Sequence, residues 1–225
     1  MRTMFLGDSI TEGTAGQDAC ASYDARAAEQ LGWDDNWLSG VGSTGNLAAP
    51  PPKLNFRQRY AGDVLPYAHN VLVIAGGIND TARSDSAIGT EAVLLFDQIW
   101  ADSPQTLVFV TGPWANASRV RPGINAAIRA AFGSRANFYW VPNYDEPWIT
   151  GTGNAGSPKG DGNADIDVSA DKTHPHLWVL ITVPERLWNL SFAYSYERLK
   201  RIWKCIHFAL VIRYKQLFVN TASSP

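Results

Sequence analysis

"RTMFLGDSITEG" (Arg2–Gly13) decides how this chain reads. Its first half, Thr3–Leu6, is a short apolar run closed by Gly7, the pattern of a buried strand. Its second half places Ser9 just past the carboxyl end of that strand, where open α/β sheets hold their ligands. A serine there faces a crevice and not a core. Taken alone, Gly7-Asp8-Ser9 favours a plain turn, with Thr11 and Glu12 starting the next element. The remaining sequence has to separate the two readings.

Further strand-like runs follow at Asn36–Leu38, Val71–Ala75, Thr106–Thr111 and Asn137–Val141. Helix-period stretches lie between them. Ser22–Leu31 carries Ala, Arg, Glu and Gln, Ala87–Ala101 sets Ala92, Leu95, Phe96 and Ile99 on one face, and Ile124–Phe132 is alanine-rich after Pro122. Strands alternating with helices imply a mainly parallel sheet covered on both faces, so the fold class is α/β. Residues 143–171 are rich in Gly, Asn, Asp and Pro without periodicity, which reads as a long functional loop.

Composition narrows the function. The 225 residues suffice for one domain with a sizeable core, and 45% of them are hydrophobic. A net charge of -2 argues against a nucleic-acid partner, which calls for a basic field. Two cysteines, Cys20 and Cys205, provide neither a disulfide framework nor a metal cluster. Four residues between Arg2 and Gly7 leave no room for a secretory signal, and no apolar run nears the roughly 20 residues of a membrane span. The expectation is a cytoplasmic protein or part of a longer one, of undefined oligomeric state.

Three further segments fall where such a fold builds its site. "SGVGSTGN" (Ser39–Asn46) follows the second strand, and its glycines allow a backbone N–H to turn into the crevice. "GGIND" (Gly76–Asp80) follows the third and offers the Asn79 amide. "DKTHPH" sets Asp171 three residues before His174, and Pro175 keeps His174 out of a helix. Together these suit acyl transfer. A serine needs a base to take its proton, the histidine needs a carboxylate to hold its tautomer, and the oxyanion needs preorganised donors. Ser9, His174 and Asp171 fill the first roles. The N–H groups of Ser9 and Gly42, with the Asn79 amide, fill the last.

On "GDSITEG" (7–13), Gly42, "GIND" (77–80) and "DKTHP" (171–175), the chain resembles the SGNH or GDSL hydrolases over roughly residues 1–176. The resemblance implies a flavodoxin-like three-layer α/β/α sandwich. It also implies no metal or other cofactor, and hydrolysis of an ester or thioester through an acyl-serine. The second block departs from the family's Gly-Asp-Thr-like context, here Gly42-Ser43-Thr44, so Gly45 is a second candidate donor.

Other readings compete at single positions. Asn79 and Asp80 also suit a helix cap. His176 rivals His174 as base but lacks the Asp at minus three and the following proline, while His69 and His207 read as surface or satisfied core residues. Trp114 and Trp148 follow predicted strands, so they line a substrate crevice or pack in the core. "DGNADIDVSAD" (Asp161–Asp171) fails a calcium loop, with Ile166 where glycine is required and Lys172 where glutamate is required, and reads as a solvated acidic loop.

The functional expectation is a serine esterase acting on short acyl esters of a sugar or small alcohol. Its alternative is a catalytically idle glycan-binding or structural module of the same type. A nucleotide-binding flavodoxin-like protein fits poorly, because no glycine lies between Gly7 and Gly13 to cradle a phosphate. Beyond residue 176 the sequence changes character. Residues 177–225 hold no glycine and seven Lys/Arg against Glu185 and Glu197, whereas the preceding residues hold 12 basic and 19 acidic side chains. A sheet-covering helix, a basic amphipathic segment and a reading frame shifted near His176 all fit. The abruptness of the change favours the last.

Overall fold

A computed structural model of the chain describes residues 1–13, 23–114, 121–143 and 147–174. Five strands make one sheet: β1 (Arg2–Gly7), β2 (Asp35–Gly40), β3 (Val71–Ala75), β4 (Leu107–Thr111) and β5 (Phe138–Trp140). Their order is β2-β1-β3-β4-β5, and every neighbouring pair is parallel. All five expected runs are strands. The strand that leads into Ser9 therefore lies inside the sheet, between β2 and β3.

Each inner strand is apolar on both faces, and the period of two sorts its side chains. Met4 and Leu6 of β1, Leu72 and Ile74 of β3, and Val108 and Val110 of β4 join one core cluster. The same cluster takes in Phe56, Tyr60 and Val64, together with residues of α4 (Asp85–Asp102) and α5 (Pro122–Ala130). Phe5 points the other way, against Tyr23 of α2 (Tyr23–Leu31) and Trp33, with ring centroids 5.7 and 6.2 Å apart. Helices thus cover both faces in an α/β/α sandwich.

Helix α4 shows how the sequence selects its elements. Ser84 caps it by accepting from the Ala87 N–H at 3.3 Å, and Ile88, Ala92, Leu95, Phe96 and Ile99 bury one stripe. Each large side chain so buried contributes roughly 1.5–3 kcal/mol. Because Ser84 is the cap, neither Asn79 nor Asp80 caps α4. A helical stretch that periodicity leaves unmarked runs from α3 (Phe56–Arg59) through a π-turn at Tyr60–Val64 and a 3-10 turn at Leu65–Tyr67. Its start is a capping box. Asn55 Oδ1 accepts from the Gln58 N–H at 2.9 Å, and Gln58 Oε1 accepts from the Asn55 N–H at 3.0 Å.

The region read as one long loop contains α6 (Ala164–Asp167) and a small cluster of Ile149, Ala164 and Val168. Its carboxylates bond the loop itself. Asp161 accepts from the N–H and hydroxyl of Thr152, and Asp165 from the N–H groups of Lys159 and Gly160. Among the described residues no group of His, Cys, Asp and Glu is arranged to hold a metal ion, and no helix is long and apolar enough to cross a membrane. Cys20, Cys205, His176, His207 and the whole of residues 177–225 lie outside the described residues.

Candidate active site

The elbow after β1 starts the site. Asp8 is the N-cap of α1 (Ser9–Glu12), with Oδ1 accepting from the Ile10 N–H at 3.0 Å, and Ser9 is the first residue of that short helix. Gly7 has no room for a side chain: a Cβ there would sit 1.9 Å from Thr11 Oγ1 and 2.7 Å from the Ala75 carbonyl oxygen. Close backbone approach is what the glycine provides.

The turn 169–174 supplies the partner. The Ser169 N–H donates to the His174 carbonyl at 2.9 Å, and Lys172 takes a left-handed φ of 66°. This closed turn carries the His174 ring to Ser9, with Nε2 2.8 Å from the Ser9 hydroxyl oxygen across 165 positions of chain. On its other side, Nδ1 is 2.6 Å from Asp171 Oδ2. An ionised carboxylate only accepts, so Nδ1 bears the hydrogen and Nε2 is left to accept from the Ser9 hydroxyl.

Asp171 is well prepared for this. Partial burial works to raise its carboxyl. Hydrogen bonds from Ser169 Oγ, the His174 and Thr173 N–H groups and the His174 ring outweigh burial and hold the carboxyl well below the usual carboxylate range. Asp171 therefore stays ionised beside the ring.

The expected donors are near but engaged. A Cβ on Gly42 would lie 3.6 Å from Ser9 Cβ, so this backbone borders Ser9. Its N–H, however, donates to Glu12 Oε2 at 2.9 Å, and its carbonyl accepts from Lys53 Nζ at 2.7 Å. Gly45, the other candidate, packs on Asp80 instead, where a Cβ would meet the carboxylate at 2.6 Å. Asn79 sits in a 3-10 turn and donates one amide hydrogen to the Thr44 carbonyl at 2.9 Å. The second hydrogen on that nitrogen is not committed by this bond.

Asp8 lies against the same centre. It is fully buried. Burial pushes its carboxyl up to about 6, a rise opposed by hydrogen bonds from the Ile10 and Gly77 N–H groups and by charge on His174, and reinforced by Asp80. A narrow cavity lined by Asp8, Ile10, Ala75, Gly76 and Trp114 runs beside it.

The two tryptophans are packed residues, 5% and 8% exposed for Trp114 and Trp148. Trp114 contacts Tyr23 and Trp148 at centroid distances of 4.8 and 5.4 Å and donates from its indole to Thr111. Of the two readings left open by sequence, the core accounts for them both, and Trp114 alone also borders the cavity. His69 is buried rather than on the surface, and burial lowers its pKa against an opposing hydrogen bond with the Val64 backbone.

Two buried side chains, Arg59 and Asp80, hold the walls together, and the sequence reading passed over the first and offered the second only as a helix cap. Arg59, from α3, donates to the carbonyl of Gly7 at 2.7 Å, to the carbonyl and hydroxyl of Ser39, and to Thr44 Oγ1. Asp80 accepts from the N–H groups of Asn46, Leu47 and Ala48, at 2.8, 3.0 and 2.8 Å. The capping box at Asn55 is the one sequence signal that leads to Arg59. The role of Asp80 on that loop was not legible, because its partners are backbone groups over 30 positions away.

No curated protein matches the chain by sequence. Among solved structures, a carbohydrate esterase family 2 enzyme with a carbohydrate-binding domain from Corynascus thermopiles (Myceliophthora fergusii) is similar at TM-score 0.59 and 20% identity. That alignment covers 83% of this chain and 64% of the other. A family two carbohydrate esterase from Clostridium thermocellum, in complex with cellohexaose, gives 0.59 and 19%, over 83% and 62%. The chain thus spans less than two thirds of either protein. A putative GDSL-like lipase from Parabacteroides merdae gives 0.61 and 16%, over 82% and 92%. At these identities the likeness is one of fold, the SGNH hydrolase fold. The model of the GDSL-like Lipase/Acylhydrolase family matches residues 5–176, from within β1 to just past His174, and the chain belongs to that family.

Proposed function

We propose that this chain is an ester hydrolase that works through an acyl-serine formed on Ser9. The observation that carries the reading is the unbroken line Asp171–His174–Ser9, at 2.6 and 2.8 Å. In the first step the Ser9 hydroxyl passes its proton to His174 Nε2 while Oγ bonds to the ester carbonyl carbon. The carbonyl π bond opens onto oxygen, and that oxyanion takes hydrogen bonds from the Ser9 and Gly42 N–H groups and the Asn79 amide. His174 returns the proton to the alcohol oxygen as the C–O bond breaks. A water, deprotonated by His174, then releases the acid and restores Ser9. Asp171 holds the ring tautomer and stabilises the imidazolium. Every role is met by the chain's own groups, so the mechanism calls for no metal or cofactor.

For substrate we infer a short acyl group on a sugar or another small alcohol. Two similar folds belong to carbohydrate esterases, one of them solved with cellohexaose, which supports a carbohydrate alcohol. The cavity beside Asp8 is narrow, which supports a short acyl group. A panel of aryl esters of increasing acyl length tests both parts. Activity is expected to peak at acetyl or propionyl, to vanish in Ser9→Ala, and to be blocked by a fluorophosphonate that labels Ser9 alone. Wild-type turnover in Ser9→Ala would overturn the mechanism.

A further inference from the structure

The Gly42 N–H, a donor the proposed mechanism needs for the oxyanion, is already held by a carboxylate of this same chain. Glu12 Oε2 accepts from it at 2.9 Å, and a methyl group placed on Gly42 would press on that oxygen at 2.6 Å while touching Ser9 Cβ at 3.6 Å. The carboxylate and the nucleophile thus flank one small volume. An oxyanion formed on Ser9 and an ionised Glu12 would carry like charges toward a single N–H, and only one of them can have it at full strength.

We propose that Glu12 is a displaceable internal occupant of the oxyanion site, holding the Gly42 N–H until a substrate carbonyl oxygen takes it. Resting on the esterase reading above, this assigns Glu12 a positioning and gating role at that same site. Two features favour displacement over a fixed support. Glu12 is exposed and ends the four-residue α1, next to Gly13 at φ 83°, so water can receive its carboxylate. The loop does not depend on it, either. The Val41 N–H donates to the Gly7 carbonyl at 3.2 Å, Lys53 Nζ holds the Gly42 carbonyl at 2.7 Å, and Arg59 reaches Thr44 Oγ1 at 3.3 Å. With the carboxylate gone, these bonds still pin the peptide beside Ser9.

The test uses the full chain with an alkylboronic acid, which adds to a serine oxygen as a tetrahedral anion. Removing an internal competitor for one charge-assisted bond is expected to tighten the boronate roughly three- to tenfold in Glu12→Ala. Glu12→Gln, which keeps a neutral acceptor, is expected to fall between it and wild type. For an aryl acetate the same variants are expected to raise kcat/KM. Weaker boronate binding with a lower kcat in both variants would mean that Glu12 is a fixed support, and overturns the proposal. Affinities within twofold of wild type overturn it as well, because the carboxylate then competes for nothing. Thermal unfolding of both variants checks that the exposed substitutions leave the fold intact. Boronate binding that survives Ser9→Ala unchanged would instead sink the active-site reading itself, and this proposal with it.

Discussion

His174 Nε2 stands 2.8 Å from the Ser9 hydroxyl oxygen because two short, tightly bonded turns meet there. One is the elbow capped by Asp8, and the other is closed by the Ser169–His174 backbone bond. His174→Ala is expected to cut turnover by several orders of magnitude, whereas His176→Ala should cost little. Asp171→Asn should preserve the fold and lose roughly three to four orders of magnitude, because the amide no longer fixes the hydrogen on Nδ1. Steady-state rates on an aryl acetate decide it. A severe loss in His176→Ala with His174→Ala spared would exchange their roles.

Asn79→Ala tests the side-chain donor. Turnover is expected to drop about a hundredfold with KM nearly constant, since its amide matters most once charge develops on the carbonyl oxygen. Loss of the 2.9 Å bond to Thr44 alone would loosen the loop and change KM as well. A change confined to KM would therefore reduce Asn79 to a loop support.

Asp8 gives a pH signature in stability. Its carboxyl is raised from 3.8 to about 6 by burial, so between those values the folded chain binds a proton that the unfolded chain has released. Stability then falls as pH rises through that window, by about 3 kcal/mol at most. Asp8→Asn lacks the titrating group, so its stability relative to wild type is expected to climb from pH 4 to pH 7. Denaturant unfolding of both proteins across that range measures it. A difference that stays flat with pH would contradict the buried-carboxyl account.

The residues after the family match yield a prediction too. Removing residues 184–225 is expected to leave Ser9-dependent esterase activity largely intact, because the matched region ends at residue 176. Translating the coding DNA in the other two frames is expected to give a small-residue helix after the His-Pro. Failure of both, with an unfolded truncation, would make the tail a required part of the domain.

Much of this architecture was legible because it is local. The five apolar runs bounded by turn residues are the five strands, and the stripe of Ala92, Leu95, Phe96 and Ile99 is the buried face of α4. Residue types with narrow chemistry, a serine past a strand and an Asp-x-x-His pair, pointed to the site before any geometry. What stayed hidden depends on contacts distant in sequence. Glu12 on Gly42, Arg59 on Gly7 and Asp80 on Asn46–Ala48 are side chains bonded to far backbone groups, and a backbone N–H or carbonyl looks the same at every position. The helical stretch from Phe56 was missed for another reason. Its capping box follows the proline-rich Ala49–Pro52, which reads as loop, and a four-residue helix is too short for periodicity.

The sheet order also has a consequence for how the protein comes into being. β1 is made before the other four strands of the sheet, yet it sits inside the sheet and pairs with later-made strands on both sides. Ser9 thus leaves the ribosome 165 residues ahead of His174. At ordinary translation speeds of about 5–20 residues per second, the proposed nucleophile waits roughly 8–33 s for its base. A lone serine hydroxyl is a poor nucleophile. On the proposed mechanism the nascent chain therefore gains its esterase activity only once the turn at 169–174 has been made and docked.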